Sequence, residues 1–526
     1  MEKVLFGQSY YLKFDAKLWE AMQPYPPLGT MYAAAFIRQR GYEVALFDAM
    51  LAESEEEWAA ALEKERPDFA IIYEDNFNYL SKMCLSRMRE AAFTMIEMAQ
   101  QYDCQIIICG SDATDHAEAY LNAGADFVLL GEGEMTLVEL LDRLNGRTET
   151  PFDDILGLAY RESLLQKETQ PLSLPVSNGH FRRNLRRPDI KEVDPLPFPA
   201  WDLIDVEKYR QVWQERHGYY SMNMVTTRGC PYHCNWCAKP IWGQRYNSRS
   251  PENVAAEMKW LKENYQPDHI WFADDIMGLK PRWWQQFADA VEEQDARVPF
   301  KCLSRADLVL RNEDDVTALK RAGCDILWMG AESGSQKILN AMEKGTKVEQ
   351  IYEATRRLHK AGVRVGFFLQ FGYPGETRED IEKTFQMVRD CRPDDVGMSV
   401  SYPLPGTKFY ENVKVQLGDK QNWVDSADLA MMYQGPFTTA FYRHLHIVLH
   451  KEFRSQRGLE ALKQAIRKPT MLRPYHLREL IAIPYRLATL PFARAKLDQL
   501  ATLSNAAIQP PPHMTLEEAA HPSPQE

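Results

Sequence analysis

The sequence has no excess of basic residues and no long apolar run. Lys and Arg number 62 against 74 Asp and Glu, so the formal net charge is −12. Binding of nucleic-acid phosphates depends on an excess of basic residues, and we therefore expect no nucleic-acid partner. No stretch of roughly 18 or more uncharged apolar residues occurs, so we expect no membrane span. The first residues, MEKVLFGQSYYLKFD, carry no apolar run behind a basic segment, which argues against a signal peptide.

The cysteines do not form the pattern of a disulfide framework. They are nine, an odd number, and six of them occur singly along the chain. This usage is typical of a reducing compartment, so we expect a cytoplasmic protein. Hydrophobic residues make up 45% and charged residues 26%, which is the balance of a globular protein with a large core.

The first part of the chain alternates short apolar runs with helical patterns. The runs are rich in β-branched and aromatic residues, as buried parallel strands are. Five strands alternating with helices predict a doubly wound α/β domain, in which ligands bind beyond the carboxyl ends of the strands. The five strand candidates are residues 3–7, 42–48, 68–73, 104–110 and 125–131.

Three loops after these strands carry small, hydroxyl and acidic residues. Such residues let a flat ligand approach the backbone and accept its hydrogen bonds. Each loop alone also fits ordinary turn and capping chemistry. Three on one sheet edge favour a ligand site, and the candidate residues are Glu74, Asp75, Asn76, Gly110, Ser111, Asp112, Thr114, Gly131, Glu132, Gly133 and Glu134.

A second α/β series follows at intervals of about 30 residues, as βα units do. Six units are too few for an eight-fold barrel, so we predict a partial barrel. Polar, glycine and acidic residues collect after its strands, at the face where barrel enzymes keep their chemistry. The six strand candidates are residues 222–229, 269–275, 300–308, 325–334, 364–376 and 395–407.

These patterns predict five segments. The α/β domain takes residues 1–150, a Pro-containing linker 151–210, the partial barrel 211–420, a helical region 421–508 and a disordered tail 509–526.

The stretch TTRGCPYHCNWCAKP places Cys230, Cys234 and Cys237 within eight residues, in the spacing C-x3-C-x2-C. A structural zinc ion would need a fourth ligand, and His233 is poorly placed because it adjoins Cys234. Thiols that bind no metal are a second possibility. An iron–sulfur cluster held by three thiolates explains the odd count, because one iron stays open for a substrate or cofactor. We favour the cluster.

The cysteine spacing, with Trp236 just before the last cysteine, resembles the signature of radical S-adenosylmethionine (radical SAM) enzymes. The resemblance implies a 4Fe–4S cluster on the three thiolates and S-adenosylmethionine on the fourth iron. It further implies reductive cleavage to a 5′-deoxyadenosyl radical, a small-molecule substrate and an electron donor such as flavodoxin or ferredoxin.

The first domain resembles the cobalamin-binding domain that precedes the barrel in class B radical SAM methyltransferases. The likeness rests on YPPLGTMYAAAFIRQRGYEVALFDA, GSDAT and ADFVLLGEGEMT. It implies that the flat ligand of the three loops is cobalamin. The motif D-x-H-x-x-G, whose histidine ligates cobalt in other cobalamin domains, is missing, which leaves axial ligation of cobalt in doubt.

The resemblance also implies contacts to S-adenosylmethionine at the barrel rim. Carboxylates after the second barrel strand would pair with the amino group of S-adenosylmethionine, and an arginine after the third strand would pair with its carboxylate. Residues after the later strands would contact its ribose, its amino-acid part and its adenine. Salt bridges and turns at the rim are the alternative. The implied residues are Trp236, Asp274, Asp275, Arg305, Glu332, Ser333, Gly372 and Gly375.

Together these likenesses imply an enzyme that methylates an unactivated carbon of a small-molecule intermediate. The strings FDAM and FYRHLH are somewhat similar to the anaerobic magnesium-protoporphyrin IX monomethyl ester oxidative cyclase, so cyclisation or rearrangement without methyl transfer stays open. A corrinoid- or redox-sensing protein without turnover is the third alternative.

Overall fold

A computed structural model describes residues 2–162, 181–239, 241–467 and 474–502, with the side chains of 464–467 and 474–479 left out. The predicted disordered tail, 509–526, lies outside the described residues.

The first half of the chain forms a seven-stranded sheet in the order β2-β1-β3-β4-β5-β6-β7. Strands β1 to β5 are parallel, and β6 and β7 join antiparallel at one edge. The doubly wound domain is thereby confirmed. The strands are β1 Lys3–Gly7, β2 Glu43–Leu46, β3 Phe69–Tyr73, β4 Gln105–Cys109, β5 Phe127–Leu129, β6 Leu158–Arg161 and β7 Phe181–Arg183.

Helices cover both faces of this sheet. They are α1 Ala16–Ala21, α2 Leu28–Arg38, α3 Glu56–Glu65, α4 Tyr79–Lys82, α5 Ser86–Ala99, α6 Ser111–Asp115, α7 Ala117–Ala123 and α8 Glu134–Leu144. Helix α2 is buried from Leu28 to Ile37 and apolar almost all round. A helix of that kind needs cover on every side. Leu28 and Met31 pack in the core shared with the barrel, while Ala33 and Ile37 pack against the first sheet.

The second half forms the predicted partial barrel, six parallel strands in the order β15-β14-β13-β12-β11-β8. Its strands are β8 Ser221–Met224, β11 His269–Phe272, β12 Phe300–Ser304, β13 Cys324–Glu332, β14 Arg364–Phe371 and β15 Asp395–Val400. A separate antiparallel pair consists of β9 Thr227–Arg228 and β10 Asn247–Ser248.

The barrel helices and two long C-terminal helices complete the fold. They are α9 Val206–His217, α10 Pro251–Tyr265, α11 Trp283–Glu293, α12 Ala306–Val309, α13 Glu313–Ala322, α14 Gln336–Ala341, α15 Val348–Lys360, α16 Arg378–Cys391, α17 Lys408–Val413, α18 Thr439–Arg467 and α19 Pro474–Thr502. Short 3-10 turns occupy Leu12–Phe14, Ala49–Leu51, Phe152–Asp154, Trp201–Leu203 and Lys414–Gln416. Within the described parts of the chain, no helix combines the length and apolarity needed to cross a membrane.

The six barrel strands end earlier than predicted because the polar residues at their carboxyl ends leave the sheet. Strand β14, predicted to run to residue 376, ends at Phe371, where Gly372 turns the chain with φ +85°. Strands β6 and β7 lie within the predicted linker and extend the first sheet by two antiparallel strands. The sequence pattern did not predict either strand. The five segment boundaries stay a proposal.

Candidate functional site

The loop that carries the three cysteines, residues 229–239, is held in place by Asp274 at the end of β11. The buried Asp274 carboxylate accepts from the backbone N–H groups of Thr226 and Thr227 at 2.7 and 2.8 Å, and from both hydroxyls at 2.8 and 3.0 Å. Burial raises the pKa of Asp274 to about 6, and these donors oppose the shift. Both carboxylate oxygens are thus engaged in fixing the entry to this cysteine loop, and the predicted contact with S-adenosylmethionine stays a prediction.

The first residue of the cysteine loop must be glycine. Gly229 has φ +82°, a conformation that L side chains rarely adopt. A Cβ atom there would lie 2.6 Å from the Arg245 carbonyl oxygen and 3.0 Å from Cβ of Trp242. The segment that contains Trp242 and Arg245, which leads into β10, therefore packs directly on the backbone at the start of the cysteine loop.

The thiols of Cys230, Cys234 and Cys237 are free, with Cys234 buried and the other two half-buried. Burial raises the pKa of Cys230, and burial together with nearby Asp275 and the other two thiols raises the pKa of Cys237 to about 12. A bound cation reverses such shifts, because thiolates are the form that ligates metal.

The cysteine loop fits a cluster better than a single ion. Across the parts of the chain that the structure describes, no three His, Cys, Asp or Glu side chains are grouped tightly enough to hold one metal ion. A cluster spreads its thiolates over several irons and needs no such convergence. Three free thiols on one anchored loop therefore suit the predicted 4Fe–4S group, whose ligands stay a prediction.

Arg305, after β12, supports the cysteine loop from the barrel. Its guanidinium carbon lies 3.7 Å from the centre of the Tyr232 ring. It donates to the carbonyl of Lys344 and the hydroxyl of Thr346, both at 3.0 Å, and to a carboxylate oxygen of Asp307 at 2.9 Å. The predicted pairing of Arg305 with the carboxylate of S-adenosylmethionine would thus compete with protein contacts.

Beside the cysteine loop, a buried ion pair joins Glu332 and Lys344 at 2.7 Å. Glu332 has φ +56° and follows a register irregularity at the end of β13. The Lys344 ammonium also lies 5.9 Å from the centre of the Trp236 ring, whose indole N–H is buried without a partner. Burial lowers the pKa of Lys344, but Glu332 and Cys234 raise it more. The sequence singled out Trp236 and Glu332 but missed Lys344.

The other predicted rim residues lie in turns. Ser333 shares a hydrogen bond with the Thr384 hydroxyl at 3.2 Å, so it holds the turn after β13. Gly372 has φ +85°, and Gly375, at φ +80°, accepts a hydrogen bond from Lys337 at 3.0 Å. Their backbones follow the carboxyl end of β14, and their contact with the adenine of S-adenosylmethionine stays a prediction.

The loop after β3 is closely tied to its neighbours. Glu74 accepts from the hydroxyl of Ser9 at 2.6 Å, and burial raises its pKa to about 7. Asp75 accepts from the backbone N–H of Gly29 at 2.9 Å. The side-chain oxygen of Asn76 is buried without a partner. An unsatisfied buried oxygen at a strand end is a place where a bound group with N–H donors fits.

The loop after β4 contains a second unsatisfied group, the buried hydroxyl of Ser111. Asp112 binds Arg89 through two hydrogen bonds of 2.6 and 2.5 Å. Thr114 donates to the carbonyl of Gly110 at 2.8 Å and accepts from the N–H of Gly131 at 3.0 Å, which ties two predicted loops together. The free groups of Asn76 and Ser111 lie on the edge predicted for cobalamin, and the residues there fit an amide-rich ligand.

The loop after β5 contacts the cysteine loop. Arg228, two residues before Cys230, donates to Glu132 at 2.5 Å and lies 2.8 Å from Glu134. All three charged side chains are about 95% buried. Glu132 also accepts from the indole N–H of Trp242 at 3.0 Å. The two carboxylates thus join the domains, a role that the sequence alone did not indicate.

Two further contacts close this interface. The rings of Phe77 and Trp242 stack with centres 5.0 Å apart. Lys82 pairs with the exposed Asp275 at 2.6 Å and lies 5.5 Å from the centre of the Trp242 ring. The predicted S-adenosylmethionine residue Asp275 therefore faces the first domain.

Comparison with known proteins matches both halves of the chain. Residues 19–141 match the B12 binding domain, and residues 224–388 match the radical SAM superfamily. An uncharacterized methyltransferase of Pyrococcus horikoshii is 28% identical over 393 residues, covering 73% of this chain and 78% of the relative. The anaerobic magnesium-protoporphyrin IX monomethyl ester cyclase of Rubrivivax gelatinosus is 23% identical over 408 residues, covering 75% and 67%.

A solved structure shares the fold. The cobalamin-dependent S-adenosylmethionine radical enzyme OxsB, with aqua-cobalamin bound, superposes with a TM-score of 0.69 at 16% identity, covering 94% of this chain and 72% of that one. The two domain families imply a 4Fe–4S cluster, S-adenosylmethionine and cobalamin as cofactors. The chain therefore contains a B12 binding domain followed by a radical SAM domain, and it is homologous to cobalamin-dependent radical SAM methyltransferases and to the magnesium-protoporphyrin cyclase.

Proposed function

We propose that the protein transfers a methyl group to an unactivated carbon of a small-molecule biosynthetic intermediate. The similarity to a methyltransferase over 73% of the chain supports this assignment. When bound, the cluster and S-adenosylmethionine supply the radical that removes hydrogen, and the corrinoid supplies the methyl group. An external electron donor such as flavodoxin or ferredoxin is part of the proposal, as is a cytoplasmic location.

One observation carries the proposal. The buried contact of Arg228 with Glu132 and Glu134 brings the cysteine loop against the strand-end loops of the B12-binding domain. Cys230 follows Arg228 by two residues, so the groups held by the two domains face a common space. Methyl transfer between two cofactors requires this proximity, since correct placement of the reactants accounts for a large part of catalysis.

The residues around this space have distinct tasks. Lys344 places a positive charge beside the cysteine loop, which offsets part of the negative charge of a cluster held by thiolates. Arg305 holds Tyr232 and with it the middle of the cysteine loop. The stacked Phe77 and Trp242 exclude water from one side of the interface, which protects a radical reaction.

The inner face of the barrel offers a surface for the substrate. Trp328 of β13 and Phe368 of β14 stack with ring centres 4.7 Å apart, and Phe368 is 39% exposed. Their neighbours Leu327 and Phe367 point the other way and are fully buried. Gly397, level with Phe368, leaves room over the rings. We propose that an apolar part of the substrate lies on these rings.

The test uses protein purified without oxygen and supplied with iron, sulfide and cobalamin. We expect about four irons per chain, as a 4Fe–4S cluster requires, and one cobalt. Reductive cleavage of S-adenosylmethionine should be lost in Cys234→Ala and kept in Cys104→Ala, a half-buried thiol of the first sheet. Zinc in place of iron, or cleavage that survives in Cys234→Ala, would refute the cluster assignment.

The similarity to the cyclase supports a second candidate function, which is radical cyclisation or rearrangement without methyl transfer. Product analysis separates the two functions. A methyltransferase forms S-adenosylhomocysteine when its corrinoid is remethylated, whereas a cyclase forms only the products of reductive cleavage. Turnover with 5′-deoxyadenosine but no S-adenosylhomocysteine would favour the cyclase.

A further inference from the structure

A cavity of about 320 Å³ lies between the B12-binding domain and the barrel rim. One wall is Thr114 and Asp115, next to the loop after β4. Arg183 and Arg186 form the second wall, and Lys239, two residues after Cys237, forms the third. The volume falls in the range of small-ligand sites, so the cavity can hold more than a few water molecules.

The walls carry an excess of positive charge. Arg183, Arg186 and Lys239 face a single acidic lining residue, Asp115. Burial and the nearby Asp112 raise the pKa of Asp115 to about 6, although His116 and Arg183 oppose the shift. Asp115 is therefore only partly ionised somewhat below neutral pH, and the cavity is net positive throughout the physiological range.

Two of the three cations bind only neutral groups. Arg183 donates to the carbonyl of Thr114 at 2.9 Å, and Lys239 donates to the carbonyl of Tyr232 at 2.7 Å. Neither cation belongs to any ion pair seen between residues that the structure describes. Arg186 has a carboxylate partner, Asp189, at 3.2 Å. Cations that outnumber the carboxylates of a cavity favour an anionic ligand, and guanidinium forks suit phosphate oxygens best.

We propose that this cavity binds a phosphate ester through Arg183, Arg186 and Lys239. The ester has two possible sources, the phosphodiester in the nucleotide arm of cobalamin or a phosphate on the substrate. The first source matches the position of Thr114 at the strand-end edge of the B12-binding domain. The inference rests on the cofactor family and not on the proposed methyl transfer, because ligand binding is measured without turnover.

The test compares two corrinoids and one inorganic probe. Cobalamin carries the phosphodiester, whereas cobinamide has the same ring without the nucleotide arm. Their dissociation constants are measured by equilibrium dialysis for the wild type and for the Arg183→Gln, Lys239→Gln double variant. Stabilisation by inorganic phosphate is followed by thermal unfolding. Arg182→Gln is the matched control, because Arg182 is exposed, pairs with Glu162 and lies outside the cavity.

We expect the double variant to bind cobalamin roughly tenfold more weakly, with cobinamide changed less than about twofold, if the corrinoid supplies the ester. If the substrate supplies it, both corrinoids should bind as in the wild type, while stabilisation by phosphate is lost. Equal weakening of both corrinoids would overturn the proposal, since cobinamide has no phosphate. Unchanged binding of all three probes would also overturn it. Failure of methyl transfer with these binding results intact would affect only the proposed function.

Discussion

Arg228 and Glu132 lie 96 positions apart in the sequence and form a 2.5 Å hydrogen-bonded ion pair in the buried interface of the two domains. Glu134 lies 2.8 Å from the same guanidinium, and Trp242 donates to the same Glu132 carboxylate. Cys230 follows Arg228 by two residues. This interaction therefore sets where the proposed cluster stands relative to the corrinoid domain.

We expect the substitution of Arg228 to lower the free energy of unfolding. Arg228→Met leaves Glu132 and Glu134 buried without their counter-charge, and breaking such a pair costs about 3–5 kcal/mol of unfolding free energy. Urea unfolding measures the loss. Arg356→Met is the control, because Arg356 pairs with Glu353 at an exposed helix face and its loss should lower stability far less than Arg228→Met does. Equal effects of the two substitutions would show that the buried interdomain ion pair stabilises the protein no more than an exposed ion pair does.

Gly229→Ala tests the shape of the cysteine loop. We expect destabilisation of about 1–3 kcal/mol from the left-handed conformation, with a further cost from the contact at 2.6 Å with the Arg245 carbonyl. Iron retention should fall as well. Gly41→Ala is the matched control, with φ +83° and nothing within 4 Å of the added Cβ atom. It isolates the conformational cost, and iron content should not change in it.

Lys344→Met should weaken the cluster site. Without Lys344, the buried Glu332 carboxylate loses its counter-charge, and the cysteine loop loses the positive charge that stands beside it. We expect fewer irons per chain after reconstitution and slower cleavage of S-adenosylmethionine. In the Lys344→Met, Glu332→Gln double variant, iron retention should partly recover, because the uncompensated carboxylate is gone. No recovery would mean that the ammonium acts on the cluster directly.

We expect the buried Glu376 to make the protein less stable as the pH rises. Burial raises the pKa of Glu376 to about 8, and one of its oxygens has no partner. The folded state holds this proton at neutral pH while the unfolded state has lost it, so stability falls as pH rises from about 4.5 to about 8. The loss of stability over this pH range is on the order of 5 kcal/mol.

Glu376→Gln tests this pH dependence, because glutamine imitates the protonated acid. Urea unfolding of the wild type and the variant should give similar stabilities near pH 4.5, and the variant should be the more stable protein at pH 8. Glu353→Gln, at a half-buried position on the surface of helix α15, is the control. A difference that does not grow with pH would contradict the raised pKa.

The sequence predicted the local features well. Apolar runs bounded by polar residues indicated eleven of the strands, since burial on both faces leaves a strong compositional signal. The strands that it missed, β6, β7, β9 and β10, are two to four residues long. The spacing of Cys230, Cys234 and Cys237 pointed to the cluster because the three thiols lie on one loop, and their role as ligands stays a prediction.

What the sequence determined by itself was therefore the chemistry carried by short segments: two α/β series, three close thiols and polar loops at the strand ends. Only the tertiary structure decided which distant groups meet. It pairs Arg228 with Glu132, Lys344 with Glu332, and both Asp274 oxygens with Thr226 and Thr227. Ion pairs of this kind leave no periodic pattern in a sequence, because a buried carboxylate can pair with any cation that lies nearby. Only the packing of the two sheets brings one particular pair together.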